Sequence, residues 1–159
     1  MRKELIQEFS MRVTQASRSE LIVIMYEIIL ADIEYAKETF AKGDTATYEK
    51  ELTHAGRFVN ELMGALDYSI GLSYHLMSLY IFANKQLTAA KVQKQPELLE
   101  GVAEIFEKLL AGYQKVSEED MSGPVMKNTQ QVYAGLTYGK GTLNEMYVNM
   151  NESKRGFMA

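Results

Sequence analysis

Proline inside a helix removes a backbone hydrogen bond and clashes with the preceding turn. This chain contains only two prolines, Pro96 and Pro124, and both fall where an apolar pattern of helical period breaks off. Between the breaks, apolar residues recur three and four positions apart, the spacing that lines one face of an α-helix. They nowhere alternate with period two, so the pattern gives strands no support.

Four helices follow from this pattern. Ser17-Arg18-Ser19-Glu20 is an S-x-x-E capping box placed directly before an apolar run. The Ser17 hydroxyl can accept the N3 amide while Glu20 reaches back to the cap. That helix is expected to run to about Ala41, with Gly43 suited to the left-handed position beyond its end. Asp44 or Thr45 caps a second helix to about Asp67, striped by Tyr48, Leu52, Ala55, Val59, Leu62 and Leu66. A third carries Leu72, Leu76, Leu79, Ala83, Leu87 and Ala90 and ends at Lys94-Gln95. Pro96 fits the first position of a fourth, whose seam is Leu99, Val102, Phe106, Leu109, Tyr113 and Val116. Amphipathic helices with short connections predict an all-α, antiparallel four-helix bundle over residues 17–120. Residues 1–16 are expected as an N-terminal arm and 121–159 as a C-terminal extension.

Two helices carry more apolar surface than one core requires. Leu21, Ile22, Val23, Ile24, Met25, Ile28, Ile29, Leu30 and Ile33 spread around more than half of the first. Tyr74, Met77, Tyr80, Ile81 and Phe82 lie outside the main stripe of the third. A helix facing a single core needs an arc of only about 100°. Central positions in the bundle, flanking segments of the chain, a second subunit or a foreign helix could each cover the excess.

After Met121 the character changes. Ser122-Gly123-Pro124 stops the last helix, and the extension is rich in Gly, Asn, Thr and Tyr. It retains Val132, Tyr133, Leu136, Leu143, Met146, Tyr147 and Val148, more apolar groups than a solvated linker holds, and 142–150 has the pattern of a short helix. It is expected to dock on a surface, either permanently or as an internal competitor for a groove.

The 159 residues suit one domain; 47% are hydrophobic and 24% charged, which is ordinary globular usage. A formal net charge of −4 argues against nucleic acid, whose binding calls for clustered Lys and Arg. With no cysteine, disulfides, thiolate metal sites and a Cys nucleophile are excluded. The first residues hold no apolar signal-peptide core. The longest uncharged stretch, from Ser69 to Asn84, is shorter than the roughly 20 apolar residues of a membrane span. A cytoplasmic protein without membrane insertion is expected.

Catalytic chemistry finds no foothold. A di-metal helical site uses two E-x-x-H sequences, and only Glu51-Leu52-Thr53-His54 is present. His54 is therefore expected at the surface, and His75 at the surface or in a groove. Gly135-Leu136-Thr137-Tyr138-Gly139-Lys140-Gly141-Thr142 differs from a phosphate loop in spacing and in the residue after Lys140, and no strand precedes it. Neither histidine stands near a cue for a nucleophile. No cofactor, no metal and no enzymatic activity are expected.

A resemblance completes the reading. Val13-Thr14-Gln15-Ala16-Ser17-Arg18-Ser19-Glu20-Leu21-Ile22, followed by Met25-Tyr26-Glu27, is similar to the V-x-T-A-S-P-x-x-L-I-x-x-L-Y-[DE] opening of the FliS family of flagellin export chaperones. Gly43-Asp44, His54-Ala55, Glu61-Leu62 with Leu66-Asp67, and Leu76, Leu79-Tyr80 and Leu87 continue the series. The similarity spans about residues 5 to 116. Arg18 replaces a usual Pro, Gln15 a Thr and Tyr113 a frequent Trp, and one glycine of a pair near Gly71 is missing.

The resemblance implies a cytoplasmic chaperone whose hydrophobic grooves bind the disordered C-terminal segment of flagellin. Such binding would prevent premature polymerisation and aid export. Candidate groove residues are Ile22, Met25, Tyr26, Ile29, Met77, Tyr80 and Ile81, with Phe9 and Val13 as a groove cap. The alternative is a dimeric helical adaptor that uses the same apolar surface to form a homodimer.

Overall fold

A computed structural model describes residues 1–126. They form five α-helices: α1 (Lys3–Gln15), α2 (Arg18–Ala41), α3 (Thr45–Gly64), α4 (Leu72–Gln93) and α5 (Leu99–Glu119), with a 3-10 turn at Pro96–Leu98. No strand occurs among the described residues. The apolar positions expected beyond residue 126, and the short helix at 142–150, lie outside them.

Local chemistry sets the helix ends. The Ser17 hydroxyl accepts the Glu20 amide at 3.3 Å, and Glu20 accepts the Ser17 amide at 2.9 Å, closing the capping box. Gly43 takes the left-handed conformation, φ +80°, which a side chain would strain. Asp44 then caps α3 by accepting the Thr47 amide at 3.0 Å. α3 stops at Gly64 rather than at the expected Asp67. There the Asp67 carboxylate accepts the Ser69 amide at 3.0 Å and its hydroxyl at 2.6 Å, a local turn that competes with helix. Lys94 ends α4 in the left-handed region without being glycine, φ 56° and ψ 43°. Pro96 opens the 3-10 turn, so the expected proline start belongs to a tighter turn that leads into α5.

α2 is the central element. It packs against α1, α3 and α5; α3 also meets α4, and α4 meets α5. Leu21, Val23, Ile24, Met25, Tyr26, Ile28, Ile29 and Ile33 are all buried. Most of the apolar excess of this helix is therefore covered by the chain itself, with α1 supplying additional cover, while Ile22 and Leu30 stay half-buried. The segment expected as an arm is a helix whose Phe9, Val13 and Ala16 enter the core. Arg2 pairs with Glu38 at 2.6 Å and Arg12 with Glu27 at 2.5 Å, so α1 runs back along α2 in the opposite direction.

α4 differs. Leu76, Tyr80, Ala83, Leu87 and Ala90 are buried, while Tyr74, Ile81, Phe82 and Val92 are exposed.

A buried carboxyl–imidazole contact joins α2 to α3. Asp32 of α2 is fully buried, and its Oδ2 lies 2.6 Å from Nδ1 of His54 on α3. Its Oδ1 has no hydrogen-bond partner, and burial raises the carboxyl pKa to about 6. His54, expected at the surface, instead turns inward to this carboxyl, with its ring edge-on to Phe58 at 5.0 Å. A buried carboxylate needs a partner, and α3 presents the imidazole across the α2–α3 seam.

Candidate functional site

At one end of the helical body the start of α2, the end of α3, the start of α4 and the end of α5 leave an apolar groove of about 720 Å³. Leu21, Ile22 and Met25 line it from α2, Leu62 from α3, and Ala65 and Leu66 from just beyond its end. Leu72, Leu76 and Tyr80 come from α4, Tyr113 and Val116 from α5, and Ile70 from the connection before α4. Ile70, Leu72 and Val116 are each more than half exposed, at 55%, 56% and 51%, so this apolar lining is in contact with water. α4 and α5 are joined through the Pro96–Leu98 turn, to which both pack; the groove lies at the opposite end of this pair.

Aromatic rings support the lining from beneath. The hydroxyls of Tyr26 and Tyr80 are 2.6 Å apart. Phe106 stacks parallel to Tyr80 at 6.3 Å and tilts against Tyr26 at 5.6 Å. Tyr113 meets Tyr26 edge-on at 5.5 Å. Burial pushes the Tyr80 hydroxyl up to about 12 and raises those of Tyr26 and Tyr113 as well. The phenols therefore stay neutral at physiological pH, so the aromatic floor carries hydroxyls but no charge.

The rim is mainly acidic: Asp67, Glu119 and Asp120 against Arg18. Asp120 accepts the Ser19 hydroxyl at 2.6 Å and the Ser19 amide at 3.2 Å, tying the end of α5 to the start of α2. It also accepts the Ser122 hydroxyl at 2.5 Å and amide at 2.9 Å. Ser122 first and then Ser19 hold its carboxyl well below the usual range. Bonding from Ser69 likewise lowers Asp67. Both carboxylates remain charged at any physiological pH.

Three of the sequence-derived groove candidates, Ile22, Met25 and Tyr80, line this groove together. Tyr26 lies beneath it, sealed but bonded to Tyr80. Ile29 is fully buried in the core, away from any surface a guest could reach. Met77 is half-buried and Ile81 exposed on α4, and neither lines the groove. Phe9 and Val13 pack into the core through α1 and are not among the groove residues. Leu62, Leu66, Tyr113 and Val116 were legible as helix stripes but carried no mark separating a groove wall from a core. Among the described residues no group of three His, Cys, Asp or Glu side chains is placed to hold a metal ion. No described helix is long and apolar enough to cross a membrane.

The family model described as flagellar protein FliS matches residues 1–120. The chain belongs to the FliS family. The match begins earlier than the motif resemblance, taking in α1, and it ends with α5. The helix that covers α2 and every groove-lining residue except Ser122 therefore fall within the FliS region, and the residues after Asp120 fall beyond it. Membership supports a chaperone role connected with the flagellum. No curated protein matches the chain.

Proposed function

We propose that α2 to α5 constitute an antiparallel four-helix bundle whose groove binds the disordered C-terminal segment of flagellin in the cytoplasm. Binding would hold flagellin unpolymerised until export, without catalysis. The observation that carries this reading is an apolar groove with half-exposed Ile70, Leu72 and Val116 in a FliS family chain. An amphipathic segment that folds on contact recognises such a groove through anchors three and four residues apart. Each large apolar anchor that becomes fully buried contributes about 1.5–3 kcal/mol, before the cost of ordering the segment is subtracted. Isothermal calorimetry with a flagellin C-terminal peptide tests the reading. A one-to-one complex is expected, and no heat at about 50 μM peptide, where a Kd near 1 μM would be saturated, would defeat it.

A second reading has its own observation. Ile81 and Phe82, 42% and 44% exposed on the outer side of α4, suit a helix-to-helix contact between two copies. A dimer in light scattering that persists unchanged when peptide is added would favour a structural adaptor.

A further inference from the structure

The described chain leaves α5 at the rim of the groove. After α5, Ser122 lines the groove, Gly123 turns with φ +73°, and the Val125 amide donates to the Ala16 carbonyl at 3.0 Å. Val125 and Met126 pack onto the core. The remaining sequence, 127–159, therefore starts beside the α1–α2 junction, next to the residues that open the groove.

That sequence carries a recognition pattern of its own. Thr142-Leu143-Asn144-Glu145 is a T-x-x-E capping box, the same device that starts α2. Leu143, Met146, Tyr147 and Met150 follow at i, i+3, i+4 and i+7, the anchor spacing of a helix lying in a groove. A helix over 142–150 would be about 13 Å long at 1.5 Å per residue, and the stretch of α2 from Arg18 to Met25 spans about 12 Å on the same rise. Segment 142–150 itself holds only Glu145 as a charged residue, so the charge complement to the rim comes from the residues on either side of it. Lys127, Lys140, Lys154 and Arg155 outnumber Glu145 and Glu152 in 127–159, whereas the groove rim has Asp67, Glu119 and Asp120 against Arg18.

We propose that segment 142–150 of this chain seats as a helix in its own groove in the free protein, so that an incoming partner has to displace it. This rests on the groove being the partner site, and it makes the extension beyond the FliS region an intramolecular competitor. If the seated form is about nine-tenths populated, the affinity of an incoming segment falls about tenfold.

The chain has no cysteine, so Asn149→Cys gives the full-length protein a single thiol for a nitroxide spin label. The label is expected to broaden the methyl signals of Ile22, Leu66 and Leu72 in a chain carrying isotope-labelled methyls. Adding Leu143→Asp and Tyr147→Asp should restore them, and both substituted positions lie outside residues 1–126. Unaffected groove methyls overturn the proposal. So does broadening that appears only when spin-labelled and isotope-labelled chains are mixed, because the occupant is then a second copy.

The Leu143→Asp/Tyr147→Asp chain without a label should bind a flagellin C-terminal peptide about tenfold more tightly than the natural chain. Equal, measurable affinities overturn the proposal. Intact broadening with no peptide binding by either chain leaves the seated segment standing and removes the flagellin reading instead.

Discussion

The phenol oxygens of Tyr26 and Tyr80 lie 2.6 Å apart in the protein interior, joining α2 to α4 directly under the groove. Each ring also touches Phe106 of α5, so one hydroxyl pair ties together three of the helices that wall the site. Removing one hydroxyl leaves the other buried without its partner, at a cost of about 1–3 kcal/mol, whereas removing both can be nearly neutral. Urea denaturation should therefore show Tyr26→Phe and Tyr80→Phe each less stable than the double variant. A double variant as unstable as the sum of the singles would mean that the hydroxyls act independently.

Asp32 makes stability depend on pH. Its folded pKa is raised to about 6 by burial, against the bonding from His54 and with Glu51 and the Met1 amino group also close. A carboxyl raised above its unfolded value takes up protons on folding, so its favourable contribution is complete below about pH 4 and lost as pH rises through about 6. A shift of about two units corresponds to about 3 kcal/mol. Denaturation midpoints between pH 4 and 6.5 should fall with rising pH in the natural chain more steeply than in Asp32→Asn. Parallel curves would show that another group sets the dependence.

Ile22 and Phe106 separate binding from stability. Ile22 is half-buried on the groove wall, while Phe106 is fully buried beneath it. Ile22→Glu should weaken flagellin-peptide binding at least about tenfold, equivalent to about 1.4 kcal/mol, with a much smaller loss of folding stability. Phe106→Ala should instead lower stability by about 3–5 kcal/mol through the cavity it leaves. Thermal unfolding and calorimetry on the two variants check both halves.

α1 is expected to behave as part of the core. Phe9 of α1, 4% exposed, is part of the hydrophobic core, and Phe9→Ala should cost about 3 kcal/mol. Hydrogen exchange should then speed up along α1 and on the covered side of α2 while α3 is little changed. Unaltered protection of α2 would mean that α1 lies on the surface without supporting it.

Much of this architecture is local and therefore legible. Ser17 with Glu20 marks the start of α2 within the residues themselves, because a cap is a hydrogen bond between near neighbours. Gly43 and Asp44 do the same for the α2–α3 turn. The helicity of α1 was present in the spacing of Leu5, Phe9 and Val13, but a short amphipathic run is marginal alone and is stabilised chiefly by packing.

The groove was only partly legible. Ile29 and Ile22 look alike in sequence, seven positions apart on one helix, yet one is sealed and the other lines a groove. His54 has no local mark that it would turn toward Asp32, which sits on a different helix.

The amino-acid order by itself determined the four helices α2 to α5, since period and capping act over three or four residues. Tertiary structure decided which apolar faces are covered. α1 folds back over α2, while α4 keeps Ile81 and Phe82 exposed and the groove end keeps Ile70 and Leu72 in contact with water. The physical reason is that burial depends on non-directional contacts between residues far apart in the chain, and the periodicity of one helix does not specify which neighbour will cover it.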